Sequence, residues 1–266
     1  MAARIHLMGD EELEIGGWDA ADFTRHTLVS KAALSGVIDH TLLQPDATRA
    51  QIIRRCSEAV EHGFAGVMVN PVWAALAWAE LAGTGVPVGS VVGFPLGASL
   101  GTIKSAEAFA LVRNGVHDLD LMLNLGLLKS GENAGVQQEI GTVVEVAHEA
   151  GAVVTVILET CLLTLEEKLR SSELAIAAGA DCLKTCTGFF PGGSIVEDVA
   201  LLRGVAGSRC GITACGGIST LRDARSMLEA GANRIGSTAG IAIVAELAFR
   251  EESEQLVLAR SHSLRP

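Results

Sequence analysis

The chain predicts an α/β fold: a closed (β/α)8 TIM barrel in one domain, with an N-terminal helical extension. Three observations predict it. Short apolar or β-branched runs alternate with longer segments of helical spacing. Successive run starts lie roughly 20–35 residues apart, the size of one strand–helix unit. Eight such units fit in about 230 residues, the ordinary size of this barrel. Near-continuous apolar strands between helices imply a parallel sheet covered by those helices. An open doubly wound sheet is the rival, but no Gly-x-Gly-x-x-Gly follows the first strand to favour it.

Residues 1–35 read as an extension, helical from about Asp22. The strand runs then fall at Gly36–Asp39, Gly66–Val69, Val86–Val92, Asp118–Leu123, Ala152–Leu158, Asp181–Lys184, Gly211–Ala214 and Asn233–Ile235. Helical spacing fills Thr48–His62, Ser105–Asn114, Ala134–Ala150, Leu165–Ala178, Ile195–Ala206 and Leu221–Ala230. Most of these segments run into Gly or Asn just before the next strand, a C-cap signal. No Pro- or Ser-rich linker interrupts the pattern. Residues 36–250 are therefore taken as the barrel and 251–266 as a C-terminal tail.

Composition narrows the function. The chain of 266 residues is 49% hydrophobic and 19% charged, enough for one large core. Its net charge of -11 argues against a nucleic acid or an anionic membrane as partner. No uncharged apolar stretch of about 18 residues suggests a span, and the acidic N-terminus lacks the pattern of a signal peptide. Six cysteines without a C-x-x-C pair or a nearby histidine predict reduced thiols, a cytoplasmic setting and no metal.

Barrel enzymes work at the C-terminal ends of their strands. Here those ends carry Asp39-His40-Thr41, Asn70-Pro71, Gly93-Phe94-Pro95, Asp120 with Asn124, Glu159-Thr160, Lys184-Thr185, Gly216-Gly217 and Gly236-Ser237-Thr238. Lys184 stands out, because a strongly hydrated amine closes an apolar run. A desolvated lysine attacks carbonyls once it is neutral. Its ordinary pKa of about 10.4 leaves only about one in 2,500 neutral at pH 7, so a nucleophile needs that value lowered by roughly three units. Desolvation by the apolar strand or a neighbouring cation can supply the shift; with the apolar strand alone, the alternatives are a slow enzyme or one that prefers higher pH. His40 reads as a packed scaffold residue, Glu159 as a helix cap or a site acid, and Cys186 and Cys215 as small core residues.

Several strings resemble the deoxyribose-phosphate aldolase family, class I aldolases of the DeoC type. They are Ile38-Asp-His-Thr-Leu-Leu43, Val69-Asn-Pro71, Val92-Gly-Phe-Pro-Leu-Gly97, Asp118-Leu-Asp-Leu-Met-Leu-Asn-Leu-Gly126, Leu158-Glu-Thr160, Leu183-Lys-Thr-Cys-Thr-Gly-Phe189, Gly216-Gly-Ile218 and Arg234-Ile-Gly236. The resemblance spans about residues 34 to 246. It implies a metal-free, cofactor-free barrel that reversibly joins acetaldehyde and glyceraldehyde 3-phosphate into 2-deoxyribose 5-phosphate. It implies Lys184 as the Schiff-base lysine, Asp120 as the proton relay, and Asp39 and Thr41 as their support. It places substrate and phosphate contacts at Asn70, Thr187, Gly188, Gly216, Gly217, Gly236, Ser237 and Thr238, and it implies a homodimer.

The departures matter as much. Thr213 occupies the slot of the family's second active-site lysine, Ser219 that of an arginine near the phosphate, Ala239 that of a serine and Cys186 that of another. Two further readings therefore stand beside the aldolase. One is an imine-forming lyase, dehydratase or cyclase acting on an unphosphorylated carbonyl compound. The other is a catalytically silent barrel that binds or regulates.

Overall fold

The computed structural model describes residues 3–6, 12–15 and 18–249; the expected tail at 251–266 lies outside them. Eight parallel strands close into a barrel: β3 Ile38–Leu42, β4 Gly66–Val69, β5 Val88–Val92, β6 Val116–Met122, β7 Val153–Ile157, β8 Cys182–Lys184, β9 Gly211–Cys215 and β10 Arg234–Ser237, with β10 returning to β3. The extension is helical from Ala20, as α1 Ala20–Thr27 and α2 Lys31–Ser35. Ahead of it β1 Ala3–His6 and β2 Glu12–Ile15 pair antiparallel, an element the sequence reading did not anticipate.

The outer helices match the helical spacing closely: α3 Arg49–His62, α5 Gly101–Arg113, α7 Asn133–Glu149, α8 Leu165–Ala177, α9 Val196–Ala206 and α10 Leu221–Glu229. Two short helices, α4 Ala74–Glu80 and α6 Leu125–Lys129, were not expected. A last helix covers 240–249. Reciprocal caps set where α8 and α10 begin. Thr164 and Glu167 exchange side-chain-to-backbone bonds, and so do Thr220 and Asp223. No helix among the described residues is long and apolar enough to cross a membrane.

Strand alternation divides the side chains between two environments. Ile38, Val67, Val69, Val92, Leu119, Leu121, Val154, Val156, Leu183, Ile212 and Ile235 face the helices and belong to the main hydrophobic core. The alternate positions face the barrel axis. There the register aligns Asp39 with Gly66, Thr41 with Met68, Asp118 with Gly89, Asp120 with Thr155, Lys184 with Thr213, and Gly236 with Cys215. Among the described residues, only Leu43, Met68 and Val91, with Phe94 against them, form an apolar cluster apart from the main core. The axis is thus polar where such barrels commonly pack branched aliphatics.

Candidate active site

Lys184 ends β8 and points across the axis, where its Nζ donates to Asp120 Oδ2 at 2.5 Å; both side chains are only 3% exposed. Burial alone would drive the ammonium to the neutral form. The Asp120 carboxylate, with Cys215 and Asp39 behind it, outweighs burial and holds the Lys184 pKa above its usual value. The amine is therefore charged in this arrangement, which corrects the expectation that an apolar strand lowers its pKa: its nearest partner is an acid. Asp120 is itself pushed up, chiefly by burial, against the pull of Lys184. A proton shared across 2.5 Å between a raised acid and a buried amine needs only a short transfer to free the nucleophile.

Beside this pair, Asp39 on β3 is gripped by Arg234 on β10. The guanidinium donates through Nε at 3.2 Å and more closely through NH2, and it also reaches Asp118 Oδ2 at 3.7 Å. Burial opposes the Arg234 charge, but Asp39 and then Asp118 more than offset it. Thr41 donates its hydroxyl to the Asp39 carbonyl at 3.0 Å. Thr213 is uncharged, and its hydroxyl lies 3.1 Å from the Cys182 thiol.

Above the charged layer lies a cavity of ≈ 290 Å³. Thr41, Gln44, Thr187, Gly188, Gly216, Gly217, Ser219, Gly236, Ser237 and Thr238 line it, with apolar walls from Leu43, Phe189, Cys215 and Ile218. No charged side chain is in the wall. Two glycine turns build the rim, and close approach demands them. A methyl group on Gly193 would sit 2.9 Å from the Gly216 carbonyl, and Gly216 has φ +101°. A methyl on Gly236 would meet Cys215 Sγ at 3.0 Å and Lys184 Nζ at 3.6 Å, which places the amine just beneath the cavity floor.

Of the predicted residues, Thr41, Thr187, Gly188, Gly216, Gly217, Gly236, Ser237 and Thr238 meet in the cavity wall. Lys184, Asp120 and Asp39 lie below it. Asn70 is not brought into the wall, because its amide donates to the carbonyls of Leu43 and Gln44 and braces their loop. Some backbone donors near the rim are already used: Ser219 and Thr220 both give their N–H to Asp223, and Ala239 gives its N–H to Ser237 Oγ. His40 faces outward as the scaffold residue expected, buried between Glu58 and Arg55 and stacked near Phe64. Burial, partly offset by Glu58, lowers its pKa to about 4.

Sequence reasoning missed Arg234 and Asp118. The signal for Asp118 was available, since Asp118-x-Asp120 puts two acids on one face of a strand. It also left the role of Glu159 open. Glu159 has φ 54°, the one non-glycine with positive φ among the described residues. Its buried carboxylate accepts the Thr187 N–H at 3.0 Å and the Cys161 thiol at 3.4 Å, so it anchors the loop after β8 rather than capping a helix. Glu159, Cys161 and Cys186 also bring donor atoms within 4.8 Å of one another, the one group with metal-ligand spacing among the described residues. Each of the three already has a protein hydrogen bond: Cys186 gives its thiol to the Gly193 carbonyl at 3.1 Å.

A family profile described as DeoC/LacD family aldolase matches residues 35–246. The deoxyribose-phosphate aldolase of Caldanaerobacter subterraneus subsp. tengcongensis is 50% identical over 214 residues, which is 80% of this chain and 93% of that protein. The enzyme of the same name from Listeria welshimeri is 47% identical over 211 residues, 79% of this chain and 94% of that one. Among solved structures, the tetrameric deoxyribose phosphate aldolase from Aeropyrum pernix superposes with a TM-score of 0.80 at 31% identity, over 87% of this chain and 99% of that one. A structure known as QR15, an aldolase, gives a TM-score of 0.78 at 38% identity, over 82% of this chain and 96% of that one.

Proposed function

The chain belongs to the DeoC/LacD family of aldolases, and from that membership we propose that it is a metal-independent class I aldolase whose Lys184 forms an imine with the substrate aldehyde. The substrate proposed is 2-deoxyribose 5-phosphate, released as acetaldehyde and glyceraldehyde 3-phosphate. The observation that carries this reading is the buried Lys184–Asp120 pair directly beneath a cavity at the strand ends.

The chemistry follows from the pair. Lys184 passes a proton to Asp120, and the neutral amine attacks the C1 carbonyl to give a carbinolamine. Asp120 returns that proton to the carbinolamine hydroxyl, and loss of water leaves the iminium with Asp120 ionised again. Asp120, acting through a water, takes the proton of the C3 hydroxyl, and the C2–C3 bonding electrons flow into the iminium. Glyceraldehyde 3-phosphate departs. The remaining enamine is protonated at C2 and hydrolysed to acetaldehyde, which returns Lys184. Asp39, through Arg234, and Thr41 keep these groups in place.

Three features of the rim favour a second substrate class. The cavity wall holds no cation, Ser219 stands in the arginine slot, and Asp223 already occupies two backbone donors at the rim. A charge-assisted contact to phosphate contributes about 1.5–3 kcal/mol, so an unphosphorylated aldehyde fits this wall as well. Borohydride trapping with acetaldehyde, read by mass spectrometry, tests the enzyme. An adduct on Lys184 that disappears in Lys184→Ala is expected, and the absence of any adduct would favour a silent barrel. The ratio of kcat/KM for 2-deoxyribose 5-phosphate over 2-deoxyribose decides between the substrates, and a ratio near one selects the unphosphorylated class. All six cysteines are free, which supports the proposed cytoplasmic setting. The proposed homodimer is checked by sedimentation.

A further inference from the structure

The floor of the barrel holds charges that the steps above do not use. Five ionisable side chains meet on the axis: Asp39, Asp118 and Asp120 against Lys184 and Arg234. Three carboxylates and two cations leave one negative charge uncompensated unless a proton is added. The contacts single out where that proton goes. Asp120 has Lys184 at 2.5 Å, and Asp39 is held by two nitrogens of Arg234. Asp118 has no close cation: its best is Arg234 NH2 at 3.7 Å, beyond hydrogen-bond reach, and its other oxygen has only the Thr155 hydroxyl at 3.4 Å.

The surroundings of Asp118 supply no substitute. Its own strand contributes Asp120, β3 contributes Asp39, β8 contributes Lys184 and the Cys182 thiol, and β10 contributes Arg234. The facing residues of β7 and β9 are Thr155 and Thr213, and those of β4 and β5 are Gly66, Met68 and Gly89, none of them charged. Solvent reaches this end of the barrel. Val153, the first residue of β7, is 44% exposed, and the Asp118 side chain is 18% exposed. The Asp118 carboxylate is thus partly open to water, on the N-terminal side of Asp120 along β6.

We infer that Asp118 is a positioning residue for the imine chemistry: it carries the extra proton of the barrel axis, and in that form it lets Lys184 hand its own proton to Asp120. Burial first, then the charges of Asp120 and Asp39, push Asp118 up to about 7, against the pull of Arg234 and Lys184. The balance of the step explains the effect. The lysine ammonium and the aldehyde give an iminium and one water: two protons leave nitrogen with the carbonyl oxygen, the C=N bond replaces C=O, and the charge stays +1. Between these two states Lys184 must be neutral and Asp120 protonated. With Asp118 protonated, the axis carries no net charge throughout. When Asp118 ionises, its field holds the proton on Lys184 and the reactive amine becomes scarcer.

This inference rests on the imine reading of Lys184, and the test separates the two. The full-length protein is incubated with acetaldehyde and borohydride over a series from about pH 6 to 9, and the Lys184 adduct is quantified in wild type, Asp118→Asn and Asp118→Glu at each pH. A field effect of about one pKa unit on Lys184 from ionised Asp118 is expected to lower the wild-type yield about tenfold relative to Asp118→Asn at the alkaline end, with the ratio near one at the acid end. Asp118→Glu, which still titrates, is expected to keep the alkaline fall. No adduct at any pH refutes the imine reading itself. An adduct whose pH dependence is the same in wild type and Asp118→Asn overturns the role of Asp118, as does a loss of yield by one constant factor across the series. Should Asp118→Asn not fold, an alkaline fall absent from wild type and Asp118→Glu alike overturns it too.

Discussion

Replacing Asp120 by asparagine should split the two halves of the reaction. The change keeps the shape of the side chain and removes the charge 2.5 Å from Lys184, inside a pair that is 3% exposed on both sides. A buried ammonium left without its carboxylate is destabilised by about 3–5 kcal/mol. That corresponds to a pKa fall of roughly two to four units from its raised value, which multiplies the small neutral fraction of Lys184 by about 10²–10⁴. Imine formation should persist or increase in Asp120→Asn. Carbon–carbon cleavage should fall by about 10²–10⁴, because the C3 hydroxyl has lost its proton acceptor. The stability loss should shrink as pH rises, since Lys184 then sheds its proton instead of remaining charged and unpaired. The assay pairs borohydride trapping of acetaldehyde with kcat for cleavage and with thermal melts at two pH values. Cleavage within about threefold of wild type would refute the shuttle.

Three further outcomes are expected. Gly236→Ala puts a methyl 3.0 Å from Cys215 Sγ and 3.6 Å from Lys184 Nζ, so kinetics should show kcat falling more than KM changes, with about 1–3 kcal/mol lost in denaturant melts. His40 binds a proton near pH 4 in the folded chain but near 6.5 when unfolded. The unfolded state therefore binds more protons between these values, and stability should fall by up to about 3 kcal/mol as pH drops through that window, with a flatter slope in His40→Asn. Lys104 and Glu139 form a buried pair at 2.5 Å between α5 and α7. Glu139→Ala should cost about 3–5 kcal/mol in urea unfolding, whereas Lys104→Met with Glu139→Leu should come close to neutral.

The sequence made the order of elements legible because each strand and helix announces itself through local periodicity. The expected spans of β4 and of α3 to α10, short helices aside, agree with the structure to within a few residues. Lys184 was equally legible, as an amine closing an apolar run. Its electrostatic environment was not. The carboxylate that holds it charged is 64 residues away, two strands across the sheet, and Arg234 finds Asp39 across 195 residues, a pairing that exists only once β10 closes against β3. Glu159 was ambiguous for a different reason: its left-handed backbone is what turns the carboxylate toward Thr187, and nothing in the residue type announces that turn. Asn70, expected at the substrate, spends its amide N–H groups on the loop carbonyls of Leu43 and Gln44, contacts that only the folded loop brings within reach.

The placement of the apolar packing has a consequence for how such a chain changes over time. Cohesion resides in the rind between strands and helices, where Leu119, Val154 and Ile212 are fully enclosed. The central column contributes less to it, being made mostly of threonines, thiols, glycines and ions beside the small cluster of Leu43, Met68 and Val91. Side chains along that column are therefore open to exchange without dismantling the architecture, and a lineage can drift from one carbonyl chemistry to another by editing its axis. Thr213, seated between Lys184 and Arg234 in the strand register, is one such position.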